Sequence, residues 1–375
     1  MVVWLRSLEE LVTVGNNFWH GRRVFLTGHT GFKGSWLALW LSQLGAKVHG
    51  LALAPNTEPS LFHLCSLQDT LVSSTIADVR DLKAVCSAVG QAEPEVVFHL
   101  AAQPLVRASY VDPVGTYSTN VMGTVHVLEA VRQMPSVRAI VVVTTDKCYE
   151  NQEWAWGYRE TDPLGGHDPY SNSKACTELV SAAYRQSFFG PSQTLEGGVA
   201  IATARAGNVI GGGDWSKDRL IPDILRAIEA SEPVQIRNPQ ATRPWQHVLE
   251  PLRGYLVLAQ ALLERWPLNA GCFNFGPSPD DVWSVGRVVD TVCQKFDEKA
   301  SWHRDDNPTP HEANSLSLDI ARANLLLGWR PILDIEKALT MTVDWAKGFM
   351  AGVNAHELTL AQIQYFQTLL EPKND

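Results

Sequence analysis

The sequence lacks the features that mark several large classes of protein. Its 375 residues contain no stretch approaching the roughly 18 to 20 uninterrupted apolar residues that cross a bilayer, so we expect no membrane partner. Lysine and arginine number 31 against 40 acidic residues, which gives a net charge of -9. No dense basic run is present that could neutralise several phosphates, and we therefore expect no nucleic-acid partner.

Cysteine is scarce, and its spacing fits neither a disulfide framework nor a zinc site. The six cysteines are Cys65, Cys86, Cys148, Cys176, Cys272 and Cys293. The histidines show neither HExxH nor HxH spacing, so no metal is expected. Residues 1–17 place Glu9 and Glu10 among leucines, which predicts an amphipathic helix rather than a secretion signal. Together these patterns favour a cytoplasmic protein with reduced cysteines.

What the sequence does contain is an alternation of short β-branched runs with longer amphipathic stretches. The predicted strands span 24–27, 47–53, 75–77, 96–101, 139–145 and 199–205, and the predicted helices span 35–44, 81–89, 113–132 and 170–188. This alternation predicts an α/β Rossmann fold, a doubly wound parallel sheet with helices on both faces. A smaller, mixed α/β substrate domain is expected towards the C-terminus.

The composition changes after residue 205, where glycines, prolines and tryptophans become frequent. We therefore predict a nicotinamide-dinucleotide-binding Rossmann domain over 1–204, to which 246–270 return. Residues 205–245 and 271–375 are predicted to form the domain that binds the substrate. Function is expected at the carboxyl ends of the strands, where open α/β sheets bind ligands.

The first strand is followed by the spacing GxxGxxG, formed by Gly28, Gly31 and Gly34. In a strand-turn-helix context these glycines permit the tight turn, the approach of a pyrophosphate and the close packing of the helix. The second predicted strand does not end in an acidic residue that would bind the ribose hydroxyls, and no arginine follows it that would bind a 2′-phosphate. These residues therefore do not distinguish NAD from NADP. Asp78, after the third strand, is expected either to meet the adenine or to cap a helix. The other expected cofactor contacts are Phe32, Val79, Leu100, Ala101, Ala102 and Asn120.

Tyr170 and Lys174 form the pattern YxxxK at the start of a predicted helix, so both side chains lie on one face. A nearby ammonium and a cationic nicotinamide would lower the tyrosine pKa, and Tyr170 could then accept a hydroxyl proton. The preceding strand ends at Thr144, Thr145, Asp146 and Lys147. Because simple hydride transfer needs only a hydroxyl there, the adjacent acid and lysine indicate a second reaction.

The chain resembles the extended short-chain dehydrogenase/reductase family, and closely resembles its CDP-glucose 4,6-dehydratases. The motifs that carry the resemblance are FWHGRRVFLTGHTGFKGSWL, HLAAQPLV, TDKCYEN, DPYSNSK, RAGNVIGGGDW, RPWQHV and LGWRP, which span nearly the whole sequence. The resemblance implies a lyase that uses NAD to oxidise a nucleotide-linked glucose at C4, eliminates water across C5 and C6, and returns the hydride to C6. The product would be CDP-4-dehydro-6-deoxyglucose.

The resemblance also implies roles for individual residues. Tyr170 would remove the C4 hydroxyl proton, Lys174 would hold the cofactor ribose, and Thr145 would hydrogen-bond the C4 oxygen. Asp146 would protonate the departing C6 hydroxyl group. Lys147 stands where related dehydratases carry a glutamate base. It would therefore either be the neutral base for the C5 proton or stabilise an enolate while another group is the base.

Substrate contacts are implied at Asn208 and Arg243, near the diphosphate, and at Asn274. Gln103 is expected either to line the sugar pocket or to cap a loop. A nucleotide-sugar 4-epimerase, a dehydratase for another nucleotide sugar and a non-catalytic dinucleotide sensor are the alternative functions. A homodimer or higher homo-oligomer is predicted from surplus apolar residues on the helices at 113–132 and 170–188, among them Val121, Met122, Val125, Val127 and Leu128.

Overall fold

The computed structural model describes residues 16–189, 198–265, 270–296, 301–305 and 314–371. The amphipathic helix predicted at the N-terminus lies almost entirely outside the described residues. Within them, no helix is both long and apolar enough to cross a membrane.

A seven-stranded parallel sheet forms the centre of the fold, in the order β11-β6-β5-β4-β1-β2-β3. Its strands are β1 (Arg23–Thr27), β2 (Lys47–Ala52), β3 (Ser73–Ile76), β4 (Val96–His99), β5 (Ala139–Val143), β6 (Ala200–Ala206) and β11 (Gly271–Phe275). The chain moves outward from β1 to one edge and then from β4 to the other. This reversal places a ligand-binding crevice beside β1 and β4, at the carboxyl ends of the strands. The predicted Rossmann fold is confirmed.

Helices cover both faces of this sheet and bury two separate apolar layers. The helices of the described chain are α1 (Asn16–Trp19), α2 (Phe32–Gln43), α3 (Leu61–Leu64), α4 (Leu67–Thr70), α5 (Leu82–Ala92), α6 (Val106–Val111), α7 (Pro113–Tyr117), α8 (Gly123–Arg132), α9 (Pro169–Ser187), α10 (Leu220–Glu229), α11 (Leu249–Arg265), α12 (Val285–Phe296), α13 (Ala321–Leu327), α14 (Ile335–Met350) and α15 (Ala355–Thr368). Helices α2 and α11 share one core with Val24 and Leu26 of β1. Helices α5 and α8 share the other with Phe25. The alternation along β1 follows from the two-residue period of a strand.

The helix predicted over 113–132 is interrupted. A π-helical turn, Ser118–Met122, separates α7 from α8. Within this turn the Asn120 carbonyl accepts hydrogen bonds from the hydroxyls of Thr124 and Thr177, at 2.7 and 3.0 Å. The amide of Asn120 donates to Ser173 Oγ of α9 at 2.8 Å. The wide turn thus holds α9 through contacts that the apolar periodicity of the sequence does not reveal.

The C-terminal part carries three small two-stranded sheets beside the main one. They pair β7 (Val209–Ile210) with β10 (Gln246–His247), β8 (Val234–Ile236) with β13 (Trp302–Arg304), and β9 (Thr242–Arg243) with β12 (Trp283–Ser284). Helices α10, α12 and α14 bury a third apolar core with them. The strand β11 lies in the main sheet, although the sequence division assigns 271–275 to the substrate domain. The two-domain division itself stays a prediction.

Candidate active site

The loop between β1 and α2 forms a narrow turn around its glycines. Gly28 has φ +78°, in the left-handed region that favours glycine, and a Cβ there would lie 2.8 Å from the Ala101 nitrogen. A Cβ on Gly34 would lie 2.0 Å from the Gly28 carbonyl oxygen. The helix therefore packs directly on the turn, and the turn packs on the residues that follow β4.

Gly31 differs from the other two glycines because its free side is open. A Cβ at this position would meet only the Gly28 oxygen, at 3.5 Å. Gly31 is also the N-cap of α2, and no side chain caps the first turn of that helix. The amide groups and the positive end of the helix dipole thus face an open cradle, which fits the pyrophosphate of a dinucleotide.

Five of the other expected cofactor contacts follow the ends of neighbouring strands, while Phe32 lies in α2 and Asn120 in the π-helical turn. The Arg80 guanidinium donates to Asp78 Oδ2 at 2.6 Å, which is the main cause that lowers the pKa of this carboxyl, and the Arg80 backbone amide donates to Oδ1 at 2.8 Å. The cap of α5 is Asp81, which accepts from two amides, so Asp78 is not the residue that caps this helix. The Val79 carbonyl accepts from His126 at 3.0 Å. After β4, the amides of Leu100 and Ala101 donate to the Thr27 hydroxyl, both at 3.1 Å, and Ala102 follows them in the chain.

The YxxxK pair lies in the first two turns of α9, which Asp168 caps through the Ser171 amide at 2.9 Å. Lys174 is buried, and its Nζ donates to the Val143 carbonyl at 3.1 Å. Burial lowers the pKa of Lys174 to about 8. Burial also raises the pKa of Tyr170 to about 12, against the lowering effect of a hydrogen bond with Thr145. In this state burial outweighs the lowering that the sequence led us to expect, so Tyr170 keeps its proton at neutral pH.

The residues after β5 form a buried polar turn beside Tyr170. Thr145 caps a 3₁₀ turn, Asp146–Cys148, and its hydroxyl donates to Asp146 Oδ1 at 3.0 Å. Asp146 Oδ2 is buried and has no hydrogen-bond partner among the described residues. Burial raises the pKa of this carboxyl, although Lys147 lowers it. A buried carboxyl with one free oxygen and a raised pKa is suited to donating a proton to a bound molecule.

These groups open into a cleft of about 300 Å³. Its walls bring together most of the polar residues that the sequence singled out for catalysis and substrate binding. They include Thr144, Thr145, Asp146, Lys147, Tyr170, Asn208 and Arg243. The cleft lies at the carboxyl ends of β5 and β6, as the topology of an open α/β sheet predicts.

Two residues expected to contact substrate have side chains that are already engaged elsewhere. Asn274 is fully buried in β11, where its amide donates to the Tyr158 and Asp319 carbonyls and its oxygen accepts from Tyr149. The Gln103 amide donates to the Leu105 carbonyl at 3.1 Å and to a threonine hydroxyl at 2.9 Å. Neither lies among the described residues that line the cleft. The contacts favour the structural alternative for both.

The cleft also contains charged residues that the sequence did not single out. Lys33, between the second and third glycines of the loop, lines its wall. Arg219 is a second such residue, held by Asp214 at 3.0 Å. The lysine in FKGSW was a signal for Lys33, because its position between two loop glycines is unusual for a solvated charge. The pair of Arg219 and Asp214 could not be predicted from the spacing of residues in the sequence.

A buried ion pair holds α9, the helix that carries Tyr170 and Lys174, against the sheet. Glu178, one turn after Lys174, accepts from Arg205 at 2.8 Å and from the Thr203 hydroxyl at 2.7 Å. The exposed fractions of the Arg205 and Glu178 side chains are 3% and 4%. Glu178 also raises the pKa of Lys174, which opposes the effect of burial. The pair ties α9 to β6 beneath the cleft.

Comparison with known proteins gives consistent matches along the chain. Residues 25–342 match the family described as GDP-mannose 4,6 dehydratase. A CDP-glucose 4,6-dehydratase of Salmonella typhimurium LT2 is 53% identical over 339 residues, which cover 90% of this chain and 94% of that protein. A dTDP-glucose 4,6-dehydratase of the same strain is 25% identical and covers 86% of this chain and 92% of its own.

Solved structures share the architecture. UDP-glucose 4-epimerase of Thermus thermophilus, in complex with NAD, has a TM-score of 0.72 and 25% identity, with 87% of this chain and 99% of that chain covered. The epimerase Mth375 of Methanothermobacter thermautotrophicus has a TM-score of 0.77 and 20% identity, with 93% and 98% covered. The second likeness concerns the fold alone.

Proposed function

The chain belongs to the GDP-mannose 4,6-dehydratase family, and from this premise we propose that it is a CDP-glucose 4,6-dehydratase. It converts CDP-glucose to CDP-4-dehydro-6-deoxyglucose and water. The observation that carries this assignment is the 53% identity to the Salmonella enzyme over nine-tenths of the chain. The chemistry is an oxidation at C4, an elimination across C5 and C6, and a reduction at C6.

NAD is the cofactor, and when bound it accepts a hydride and later returns it. The open cradle at Gly31 supports binding of its pyrophosphate, and Gly28 and Gly34 keep the loop tight around it. We assign the adenine end to Asp78. We assign the ribose to Lys174, and the contact of its amine with the Val143 carbonyl, at the end of β5, supports this.

We assign the first proton transfer to Tyr170 and Thr145, which share a hydrogen bond in the cleft. Tyr170 removes the C4 hydroxyl proton, and Thr145 hydrogen-bonds the same oxygen. Because burial raises the Tyr170 pKa to about 12, the tyrosinate needs added positive charge nearby. A bound, cationic nicotinamide would supply that charge, so Tyr170 would become a competent base with the cofactor in place.

The elimination is assigned to the turn that follows Thr145. A 4-keto group acidifies the C5 proton, and Asp146 protonates the departing C6 hydroxyl through its free, buried Oδ2. Lys147 lies next to it and takes part in the same step, either as the C5 base or as the charge that stabilises the enolate.

The diphosphate is assigned to Arg243 and Asn208, which line the same cleft. A guanidinium donates two hydrogen bonds in a plane that matches a phosphate, so Arg243 suits this task. Arg219 lines the cleft as well and adds a second guanidinium to it. The two cations offset the charge of the substrate.

The test is a product assay with CDP-glucose and NAD. We expect a dehydrated 4-keto sugar, detected by mass spectrometry as the loss of one water. Formation of CDP-galactose instead would indicate a 4-epimerase, and turnover of only dTDP-glucose or GDP-mannose would move the assignment to another nucleotide sugar. A wild-type protein that binds NAD but converts none of these sugars would be a sensor.

A homodimer is the proposed assembly. Of the five apolar residues named from the sequence, Val127 and Leu128 are buried in the core, while Met122 is 46% exposed. Larger exposed fractions lie close by, 79% at Val114 of α7 and 59% at Leu179 of α9. The two helices pack side by side, so these side chains support a shared apolar face that a second copy covers.

We also propose a cytoplasmic location. All six cysteines lie in the described chain, and each has a free thiol. Free thiols are typical of a reducing compartment.

A further inference from the structure

Lys33 links the cofactor loop to the catalytic cleft. It lies in the first turn of α2, and it lines the same cleft as Tyr170 and Asp146. A lysine this close to the sheet edge would ordinarily serve a phosphate or remain solvated. Here its amine contacts a buried tyrosine hydroxyl.

The amine of Lys33 is held without a counter-ion. Its Nζ donates a long hydrogen bond, 3.4 Å, to the hydroxyl of Tyr255, and it lies 5.7 Å from the centre of that ring. Tyr255 belongs to α11 and is fully buried. No carboxylate of the described chain lies within 4.0 Å of this amine.

The charges that act on the amine mostly repel it. The positive charges of Arg219 and Lys174 disfavour the protonated form of Lys33, whereas the charge of Asp146 favours it. Burial has the largest effect, and together these lower the pKa of Lys33 to about 7. A large fraction of the amine is therefore neutral at neutral pH and can accept a proton.

We propose that Lys33 is a catalytic residue, the base that removes the C5 proton of the 4-keto sugar. The inference rests on the proposed dehydratase function and answers the question left open for Lys147. Lys147 then stabilises the enolate oxygen. Two lysines on different elements thus divide the base and the electrostatic tasks between them.

The step balances without a further reactant. The lone pair of the Lys33 amine takes the C5 proton, and the electrons of the C5–H bond form the enolate. As the enolate collapses, the C5–C6 double bond forms and the C6–O bond breaks. The leaving oxygen takes the Asp146 proton and departs as water. When C6 is reduced, the Lys33 ammonium returns a proton to C5.

The experiment measures deuterium at C5 of sugar recovered from single turnovers in heavy water, in full-length wild-type, Lys33→Ala, Lys33→Arg and Lys147→Ala proteins. We expect Lys33→Ala to retain C4 oxidation, seen as nicotinamide absorbance, but to lose C5 exchange roughly 100-fold or more, as for a lost general base. Added ethylamine should restore exchange in Lys33→Ala and not in Lys147→Ala. Lys33→Arg keeps the charge but has no available lone pair, so its exchange should stay absent.

Circular dichroism and NAD titration confirm that each variant folds and binds cofactor. C5 exchange that persists in Lys33→Ala or Lys33→Arg would overturn the inference. It would also be overturned if ethylamine restored exchange only in Lys147→Ala, or if Lys33→Ala lost exchange and ethylamine did not restore it. These outcomes leave the dehydratase function in place. That function fails only if the wild-type protein forms no keto sugar from CDP-glucose.

Discussion

At the scale of single residues, the buried pair of Glu178 and Arg205 stabilises the fold directly beside the proposed catalytic residues of α9. Replacing Glu178 with Gln leaves a buried guanidinium without its counter-charge, which typically costs about 3 to 5 kcal/mol. We expect a fall of that size in the free energy of unfolding, measured by urea titration.

The matched control is Glu336→Gln, which breaks the long pair with Lys295 at a side chain that is 70% exposed in α14 and should leave the urea midpoint nearly unchanged. A double variant, Glu178→Gln with Arg205→Met, should recover part of the loss because the unpaired charge is gone. Equal midpoints for Glu178→Gln and the wild type would show that the pair is not a stabilising contact.

The sequence predicts those site residues whose neighbours in space are also neighbours in the chain. Thr145, Asp146 and Lys147 follow one strand, and Tyr170 and Lys174 share one helix face, so local geometry places them. Lys33 contacts Tyr255, which is 222 positions away, and only the docking of α11 on α2 brings them together. For Asn274 the residue type suggested a polar contact, but the sequence could not show which way the side chain points. In the structure its amide donates to a carbonyl inside the protein.

At the scale of elements, the glycines of the cofactor loop serve two different requirements that their spacing alone does not distinguish. Gly34 allows the helix to pack on the turn, and Gly31 leaves room for a ligand. A methyl group on Gly34 would clash with the turn at 2.0 Å, whereas a methyl group on Gly31 would make only an ordinary contact at 3.5 Å. We expect Gly34→Ala to lower both the thermal midpoint and NAD affinity. Gly31→Ala should keep the midpoint and lose NAD affinity by tenfold or more, roughly 1.4 kcal/mol.

Differential scanning fluorimetry and calorimetric titration with NAD measure the two effects. Gly90→Ala is the control, because its Cβ would meet only a methionine methyl at 3.9 Å within α5. It should raise the midpoint slightly, as alanine favours a helix interior over glycine. Unchanged NAD affinity in Gly31→Ala would argue against the cradle.

Element positions were predictable because apolar periodicity and turn residues are local signals. The strands differ from their predicted ends by a few residues. The π-helical turn at Asn120 was not predictable, since it depends on hydrogen bonds with Thr177 of another helix. The small sheets of the C-terminal part pair two- and three-residue strands, too short to show a period of their own.

At the scale of the whole molecule, the proposed dimer predicts that charges placed on its interface will halve the mass of the particle in solution. Val114→Glu together with Leu179→Glu places charges on the exposed face of α7 and α9, where burial against a second copy would be costly. Light scattering coupled to size exclusion should give a dimer for the wild type and a monomer for this variant. Leu325→Glu, on a side chain that is 75% exposed in α13, should stay dimeric. A monomeric wild type would contradict the assembly.

The place of β11 in the sheet has a consequence for biosynthesis. Its partner β6 is buried along its full length, yet residues 271–275 leave the ribosome some 70 positions later. Until then β6 presents an open apolar edge of the kind that pairs with other chains. Residues 1–204 therefore cannot complete the main sheet during translation before β11 has been made. A fragment ending at 204 would resemble a nascent chain in need of a chaperone more than an independent module.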